Sequence, residues 1–244
     1  MKGGGFVKHI WTKELPEIYN TWFYGALIKE DMHLKYYFFH PSNIAKISDL
    51  SFHVDNGEII SVTKNPEEAP KNQELYSTRK PPKHYGEDDF VFGEYRITHH
   101  GQWGYACFKA DQLLWKKSLR GYLYTDIIKI HNRIIFGTAG MGGHFYSLDI
   151  DSGEIVFDFN TKGTCHFLQV NDNLYFAMTQ KKNTVIYKID YDGNILDSLE
   201  VTGSRDDYDP FVLADNSIYI VTNRKKREVN WQTYYPLVHR IELG

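Results

Sequence analysis

A repeat of 40 residues in the middle of the chain constrains the fold more than any other feature. The segment Asp126 to Phe136 (DIIKIHNRIIF) resembles His166 to Phe176 (HFLQVNDNLYF), with apolar residues at matching positions. The segment Phe145 to Phe159 (FYSLDIDSGEIVFDF) matches VIYKIDYDGNILDSL in the same way, which places Gly193 40 residues after Gly153. A repeat of this period with four short strands per unit is typical of a β-propeller blade.

Each repeat reads as four strands, A to D, with an Asn or Asp turn between A and B and an Asp/Gly turn between C and D. The connection between B and C varies in length. The predicted strands are Tyr124–Ile130, Arg133–Thr138, His144–Asp149 and Glu154–Phe159 in the third unit, Cys165–Val170, Asn173–Thr179, Thr184–Ile189 and Asn194–Val201 in the fourth, and Phe211–Ala214, Ser217–Thr222 and Tyr235–Leu243 in the fifth.

The fifth unit lacks an outer strand, and the N-terminus offers one. The segment Phe6 to Leu15 (FVKHIWTKEL) resembles the fourth strand of the second unit, QLLWKKSL. Pairing of this segment with the last unit would close the ring without a long exposed edge. We therefore predict an all-β fold: a single β-propeller domain over residues 1–244, with five four-stranded blades and closure by the N-terminal strand on the C-terminal blade.

The first two units are less regular, which leaves four or six blades as alternatives. The segment Ser51 to Thr63 (SFHVDNGEIISVT) reads as the outer hairpin of the first unit, after two strands in WFYGALIKEDMHLKYYFFH. A polar excursion follows at about residues 64–89 and holds four of the eight prolines. Such a segment buries little surface, and it is predicted to contain one strand near Leu75–Thr78.

Charge and composition exclude several classes of protein. The net charge of −3 gives no basic face of the kind that nucleic acid requires. No uncharged apolar run approaches the ~20 residues that span a bilayer, and the N-terminus has no secretory pattern. Cys107 and Cys165 lie far apart in the sequence, which favours two buried free thiols. We predict a globular, cytoplasmic protein that binds neither nucleic acid nor membrane.

The element formed by strand C, its turn and strand D resembles the repeat of the pyrroloquinoline-quinone-like β-propeller superfamily, LYALD-x-x-[TS]-G-x-x-x-W. The segment Phe145 to Phe159 matches it best, with Phe157 in place of the tryptophan, and Trp115 holds that place in the second unit. The resemblance covers Cys107 to Leu199 and implies a propeller fold. It implies no single function, because the superfamily contains dehydrogenases, outer-membrane assembly proteins and binding proteins.

The dehydrogenases of this superfamily are larger, bind calcium with their quinone, and carry an adjacent pair of cysteines. This chain has no adjacent cysteines and is too short for the eight blades usual in those enzymes. We therefore predict a member that is not a dehydrogenase and has no cofactor.

The acidic pattern Asp149-x-Asp151-x-Gly153 resembles the start of a calcium-binding loop. An EF-hand loop ends with a bidentate Glu at its twelfth position, whereas the twelfth residue from Asp149 is Asn160. The same Asp/Gly pattern recurs in the next repeat, as the backbone of a short hairpin requires. We interpret the pattern as a turn and predict no metal site.

Two polar clusters and one histidine are the candidate residues for binding a partner. The cluster TGSRDDYDPF carries carboxylates that suit a metal or a glycoside as well as a solvated loop. The cluster TNRKKREVNWQTYYP combines basic and aromatic residues, as interface hot spots do. The histidine follows a glycine-rich loop that lacks the Lys-Ser/Thr of a P-loop. The candidates are Arg205, Asp206, Asp207, Asp209, Arg224, Lys225, Lys226, Arg227, Trp231, Tyr234, Tyr235 and His144.

No catalytic residues are identified from the sequence. His99 and His100 are adjacent on a predicted strand and therefore point to opposite faces. We predict a non-enzymatic scaffold that engages a protein partner through one propeller face, for instance as an inhibitor or as an immunity protein that neutralises a bacterial toxin. The alternative is a carbohydrate-binding or glycoside-hydrolysing five-bladed propeller with acids such as Asp206 or Asp209. The identity of the partner and the oligomeric state stay open.

Overall fold

All regular elements in the described part of the chain are β-strands, which confirms the predicted all-β class. No helix among these residues is long and apolar enough to cross a membrane. The strand predicted near Leu75–Thr78 lies outside the described residues. The computed structural model describes residues 7–14, 24–40, 43–63, 88–140, 143–163, 165–205, 211–225 and 234–244.

The first described strand is β1 (Lys8–Glu14), and the eight that follow it form two antiparallel sheets in chain order. The first sheet contains β2 (Tyr24–Glu30), β3 (His33–His40), β4 (Asn43–His53) and β5 (Ile59–Thr63). The second sheet contains β6 (Asp88–Phe92), β7 (Tyr95–His100), β8 (Gly104–Lys109) and β9 (Gln112–Ser118).

Three more antiparallel sheets follow within the described residues. The third contains β10 (Tyr122–Leu123), β11 (Ile128–Ile130), β12 (Arg133–Ala139), β13 (His144–Asp149) and β14 (Ile155–Asn160). The fourth contains β15 (Phe167–Val170), β16 (Asn173–Gln180), β17 (Asn183–Ile189) and β18 (Ile195–Thr202). The fifth contains β19 (Phe211–Ala214), β20 (Ser217–Lys225), β21 (Tyr234–Glu242) and β1.

The N-terminal strand β1 pairs antiparallel with β21, as the sequence predicts. Thr12 lies opposite His239 and Glu14 lies opposite Leu237, and the register shifts between His9 and Trp11. The outer strand of the fifth sheet therefore comes from the start of the chain, while its other three strands come from the end.

The predicted strand Tyr124–Ile130 is shorter in the structure: only Ile128–Ile130 (β11) is strand, and the separate strand β10 (Tyr122–Leu123) precedes it. Both β10 and β11 pair with β12, and the residues between them leave the ladder. There the side-chain hydroxyl of Thr125 accepts a hydrogen bond from the backbone N–H of Gly137 at 2.8 Å. The backbone group of β12 is therefore satisfied by a side chain, and strand A can break without leaving a buried donor unpaired.

The chain divides into two compact units by its internal contacts, and the division passes through the fourth sheet. Each inter-sheet contact described below lies inside one of these units. A single propeller domain over residues 1–244 stays a prediction. The first unit consists of Met1–Arg79, Gln180–Val185 and Asp197–Gly244, and the second of Lys80–Thr179 and Ile186–Leu196.

Neighbouring sheets pack through apolar side chains, and the two cysteines lie in these cores. Cys107 packs with Trp115 between the second and third sheets, and Cys165 packs with Phe157 between the third and fourth. Both cysteines are buried and neither forms a disulfide, which confirms the prediction of two buried thiols.

A tryptophan on an outer strand connects two pairs of neighbouring sheets in the same way. The indole Nε1–H of Trp115 on β9 donates to the carbonyl of Ile150 in the turn of the third sheet at 2.8 Å. The indole of Trp11 on β1 donates to the carbonyl of Val54 in the turn of the first sheet, also at 2.8 Å. Each ring is nine-tenths buried or more, so both the apolar body and the N–H of the tryptophan are satisfied.

A glycine in each of these turns makes room for the aromatic ring. A Cβ at Gly153 would lie 2.7 Å from the Trp115 ring, and a Cβ at Gly57 would lie 2.9 Å from the Trp11 ring. In the fourth sheet a Cβ at Gly193 would lie 2.8 Å from Phe157, which takes the place of the tryptophan. The glycine of the Asp/Gly turn is therefore required both by the backbone and by the close approach of the neighbouring sheet.

The fourth sheet contacts the fifth through a hydrogen bond to a carboxylate and not through an aromatic ring. In the fifth sheet no hairpin turn connects β21 to the outer strand β1. The residue before β1 is Val7, and its backbone N–H donates to the Oδ2 of Asp197 on β18 at 2.8 Å. Asp197 occupies the place in β18 that Phe157 occupies in β14. A carboxylate thus replaces the aromatic ring where a backbone donor is left without a turn partner.

His239 on β21 lies at the centre of a hydrogen-bond chain that joins β1 to the sheet. Its Nδ1 is 2.8 Å from the hydroxyl of Thr12, and its Nε2 is 2.8 Å from the hydroxyl of Thr222. Thr222 donates its hydroxyl hydrogen to the carbonyl of Thr202 at 2.6 Å, so it must accept from His239. The imidazole therefore carries its hydrogen on Nε2 and accepts from Thr12 on Nδ1.

Burial keeps the imidazole of His239 neutral. The ring has no exposed surface, and burial, with a smaller contribution from His9, lowers its pKa from 6.5 to about 4. The neutral form suits the hydrogen-bond chain, because each nitrogen has one fixed role. Protonation would give Nδ1 a hydrogen and take away its role as the acceptor of the bond from Thr12.

We predict that folding stability falls as the pH is lowered from 6.5 to 4. The pKa of His239 is lower in the folded than in the unfolded chain, so the unfolded chain binds more protons in this range. The full contribution is about 3 kcal/mol. Urea unfolding at a series of pH values should show the loss, and His239→Gln should remove that part of it. A His131→Asn control at an exposed turn should keep the pH dependence; an unchanged profile in His239→Gln would contradict the assignment.

We predict that Gly153→Ala destabilises the fold more than Gly93→Ala does. Both glycines have left-handed backbones, with φ of 70° and 62°, but no atom lies within 4 Å of a Cβ at Gly93. Gly93→Ala should cost only the backbone strain, about 1–2 kcal/mol. Gly153→Ala should cost a further ~1–3 kcal/mol, because its Cβ meets the Trp115 ring. Equal losses of unfolding free energy in urea would show that the contact with the ring is unimportant.

Candidate functional site

The two ends of each sheet differ in their connections. One end, the turn end, carries the A–B and C–D turns, such as residues 131–132 and 150–154. The other end carries the B–C connections and the connections from one sheet to the next. We call it the connection end; its described residues include 101–103, 140, 143, 161–163, 181–182 and 203–205. The turn end is used for contacts between sheets, so the connection end is the place to look for a binding site.

The Asp/Gly pattern at the turn end is a hairpin turn, as the sequence indicates. The Oδ1 of Asp149 accepts from the backbone N–H groups of Asp151 and Ser152 at 3.1 and 2.9 Å. Its Oδ2 accepts from the side-chain amide of Asn132 at 2.8 Å. Burial acts to raise the pKa of Asp149, but the hydrogen bonds outweigh it and hold the pKa below its ordinary value.

The equivalent Asp190 makes the same kind of turn. Its Oδ1 accepts from the backbone N–H groups of Asp192 and Asn194, each at 2.9 Å. Both carboxylates are thus occupied by their own turns. Within the described residues there is no group of three or more His, Cys, Asp or Glu side chains placed to hold a metal ion.

His144 is the sequence candidate that the structure places in the most specific environment. It begins β13 at the connection end and is 5% exposed. Its Nδ1 lies 2.5 Å from the Oδ1 of Asp158 on β14, and its backbone N–H donates to the hydroxyl of Thr138 at 2.9 Å. A carboxylate can only accept, so Nδ1 carries the hydrogen and Nε2 faces the protein interior.

A continuous stack of rings extends from His144 into the second sheet. The imidazole is nearly parallel to the Tyr146 ring, with 5.2 Å between centroids and 7° between planes. Tyr146 contacts Phe136 at 5.6 Å, and Phe136 stacks on Tyr105 at 5.0 Å. Tyr105 in turn lies 5.0 Å from His99. The rings fix the plane of the His144 imidazole, so its Nε2 has a defined direction.

Two polar atoms in this stack have no partner among the described residues, although both are buried. They are the Nε2 of His144 and the hydroxyl of Tyr105. Burial raises the pKa of Tyr105, and it raises the pKa of Tyr146 to about 12, so both phenols stay neutral. A buried polar atom without a partner costs about 1–3 kcal/mol, so each of these two atoms is available to hydrogen-bond a water or a ligand.

The structure brings few of the other sequence candidates together. The guanidinium of Arg205 lies 5.4 Å from the centre of the Phe211 ring. Arg224 forms an ion pair with Glu14 at 3.1 Å, which couples the end of β20 to the end of β1. Lys225 pairs with Tyr234, and Arg224 pairs with Tyr235, in the β20–β21 ladder. The other candidates, Asp206, Asp207, Asp209, Lys226, Arg227 and Trp231, lie outside the described residues.

The prediction for the pair His99 and His100 agrees with the structure. His99 is buried and His100 is exposed, so the two point to opposite faces. His100 lies 2.7 Å from the hydroxyl of Thr98, its neighbour on the same face. His166 contacts Tyr124 edge to face at 5.0 Å.

Sequence reasoning missed Asp158 and Trp103. Asp158 is opposite Tyr146 in the β13–β14 ladder, which makes it a diagonal neighbour of His144. The register shift between Ser147 and Leu148 hides this pairing from the alternating pattern of the sequence. Trp103 follows Gly101 in a turn at the connection end and is 43% exposed. A large exposed aromatic in a glycine turn is itself a signal for a contact surface.

Comparison with known proteins gives no family for this chain. No protein-family model matches the sequence, and no curated protein matches it.

Three solved structures are similar to this chain at low identity. BamB from Moraxella catarrhalis is 10% identical with a TM-score of 0.41, over 89% of this chain and 58% of that one. The computationally designed Ika8 protein is 10% identical with a TM-score of 0.41, over 89% and 57%. A europium-containing methanol dehydrogenase is 9% identical with a TM-score of 0.41, over 88% and 49%. The chain spans about half the length of these proteins, and at this similarity neither activity nor partner is transferred.

We predict unequal effects on stability for the two members of the His144–Asp158 pair. His144→Phe keeps a ring on Tyr146 and removes a buried unpaired nitrogen, while the half-exposed Asp158 can hydrate. It should leave the unfolding free energy within about 1 kcal/mol. Asp158→Ala leaves both imidazole nitrogens without a partner and should cost about 1–3 kcal/mol. Urea unfolding of both variants measures this. A larger loss for His144→Phe than for Asp158→Ala would mean that the imidazole is needed for stability.

Proposed function

We propose that the protein is a non-enzymatic scaffold that binds a protein partner through the connection ends of its sheets. The observation that carries the proposal is the contrast between the two ends. At the turn end, glycines and capping carboxylates are used for hairpin turns and contacts between sheets. At the connection end, the segments between strands vary in length, from residues 181–182 between β16 and β17 to residues 64–87 between β5 and β6, and loops held by a rigid scaffold are where binding residues concentrate.

The distribution of tryptophan supports the same end. Trp11 and Trp115 are buried at the junctions between sheets. Of the other three, Trp103 lies at the connection end between β7 and β8, whereas Trp22 and Trp231 lie outside the described residues. Trp103 is 43% exposed. An exposed tryptophan lowers solubility, so it needs another explanation. Aromatic residues are enriched in protein interfaces and contribute much of their binding energy, which makes an interface that explanation.

We also propose that the five sheets are the blades of one closed propeller. The support is the common direction of their contacts, because at four junctions the outer strand of one sheet contacts the turn end of the sheet that follows. This holds from the second sheet to the third, from the third to the fourth, from the fourth to the fifth, and from the fifth to the first. Repeated contacts of one sense are what a ring of blades requires.

We further propose that the scaffold acts as an inhibitor or immunity protein in the cytoplasm of a bacterium. The identity of its partner tests the role, and cell fractionation tests the location. The alternative function is binding of a carbohydrate. The exposed indole of Trp103 favours this alternative, because a sugar ring can stack on it.

We predict that Trp103→Ala weakens binding of the partner while Leu113→Ala does not. Both side chains are exposed, at 43% and 52%, so neither change should unfold the protein. Leu113 lies on the outer strand β9 next to the turn end, and it serves as the matched control. The partner is first isolated by tagged pull-down from native extract, and the affinity of both variants is then measured by calorimetry. A hot-spot tryptophan is worth about 2 kcal/mol or more, which is roughly a 30-fold change in Kd.

Equal affinity of both variants would contradict binding through Trp103. The carbohydrate alternative is tested in parallel with a glycan array and chromogenic glycosides. The ligand is a sugar and not a protein if a glycan binds specifically, Trp103→Ala abolishes this binding, and the pull-down recovers no protein in stoichiometric amount. Turnover of a glycoside would show that the protein is an enzyme.

A further inference from the structure

Strand β1 belongs to its sheet only through non-covalent contacts. It pairs with β21, and its hydrogen bond from Thr12 to His239 joins residues 227 positions apart in the chain. The strand that follows it in sequence, β2, belongs to another sheet. Nothing in the pairing of β1 therefore requires that β1 and β21 come from the same copy of the protein.

The site that holds β1 recognises specific side chains. The indole of Trp11 packs among Phe52, Val54 and Tyr219 and donates its N–H to a backbone carbonyl. Gly57 gives the ring its space, since a Cβ there would lie 2.9 Å from it. The pocket thus selects a large flat side chain that has one hydrogen-bond donor.

Contacts on either side of the indole fix the position of the strand. Thr12, the next residue, donates to the Nδ1 of His239, which is an obligate acceptor in the neutral ring. At the far end Glu14 pairs with Arg224, and at the near end the backbone of Val7 donates to Asp197. The site therefore selects a strand that carries the pattern W-T-x-E and, four residues before the tryptophan, a backbone N–H that can donate to Asp197.

We propose that this site is a receptor for an extended strand, and that besides its own β1 it accepts β1 of a second copy of the chain, which gives a strand-exchanged dimer. The same contacts form in the monomer and in the dimer, because the donor strand has the same sequence in both. Exchange of an identical element is a low-cost route to a dimer, and β1 qualifies because it pairs with a strand that is not its neighbour in sequence.

Opening of β1 controls the exchange, and acid favours the opening. Release of β1 exposes His239, whose pKa then returns from about 4 to its ordinary 6.5. The facing ring of His9, at 6.2 Å, is the other titratable group that contributes to this pKa. At pH 5 the open form is therefore favoured by about 30-fold relative to neutral pH. The exchange rate should rise by the same factor.

The test uses the full chain with cysteines at two paired positions, in the double variant Lys8→Cys/Glu242→Cys. Lys8 and Glu242 are exposed and lie directly opposite each other in the β1–β21 ladder, within reach of a disulfide. The native thiols are buried and do not interfere. Samples are held at pH 5 or 7.5 over a range of concentrations, then oxidised and separated on a non-reducing gel.

The control variant Ser51→Cys/Ser61→Cys places a pair in β4 and β5, which a short turn joins. It should give only intramolecular cross-links. The Lys8/Glu242 pair should also give a covalent dimer, and its ratio to monomer should rise about tenfold for a tenfold rise in concentration, by mass action. At low pH the dimer should form about 30-fold faster, and His239→Gln should remove this acceleration.

Three results would overturn the proposal. The first is a cross-link that stays intramolecular at every concentration and pH. The second is a dimer that forms equally with Lys8→Cys alone, because it would mean contact between two β1 edges. The third is the absence of any cross-link, which would show that the two strands are not paired at all.

Discussion

The hydrogen bond from a buried tryptophan to a backbone carbonyl of the next sheet is the interaction on which the packing of the sheets depends. One four-stranded sheet cannot bury its own apolar face, so it must dock on a neighbour. In two junctions the ring of Trp11 or Trp115 fills that interface, and its N–H removes the cost of the buried carbonyl. The turn that receives the ring must then have a glycine and a fixed hairpin, which is capped by the carboxylate of Asp149 at the Trp115 junction and by the Nδ1 of His53 at the Trp11 junction. The Asp/Gly turn recurs because the junction recurs.

The exception at Asp197 follows from the same constraint. In the third sheet the N–H of Gly153 is satisfied inside its own hairpin by the carbonyl of Asp149. In the fifth sheet β1 does not follow β21 in sequence, so no C–D hairpin joins the two strands. The N–H of Val7 donates instead to the carboxylate of Asp197, a hydrogen bond that an aromatic ring at that position could not accept. The change from an aromatic residue to Asp197 in the fourth repeat thus goes together with the missing hairpin.

The repeat made the turns, the outer strands and the N-terminal strand predictable from sequence, because each is specified by residues that recur at a fixed spacing. The break in the strand around Thr125 was not predictable, since one side-chain hydroxyl replaces a ladder bond there and leaves no periodic signal. The partner of His144 depends on the register of β13 and β14, which contains a bulge between Ser147 and Leu148. A bulge shifts every later pair, so a pattern of period two cannot assign Asp158 without the backbone.

Substitutions at the two ends of the sheets should act differently. At the turn end the capping groups and the indole N–H groups are hydrogen-bonded within the protein, so a substitution there changes stability first and binding only as a consequence. At the connection end the Nε2 of His144 is held in direction by a carboxylate and a ring stack but bonded to no described residue. An unpaired buried atom of this kind costs stability, and a water or a small ligand inside the fold beside His144 would offset that cost.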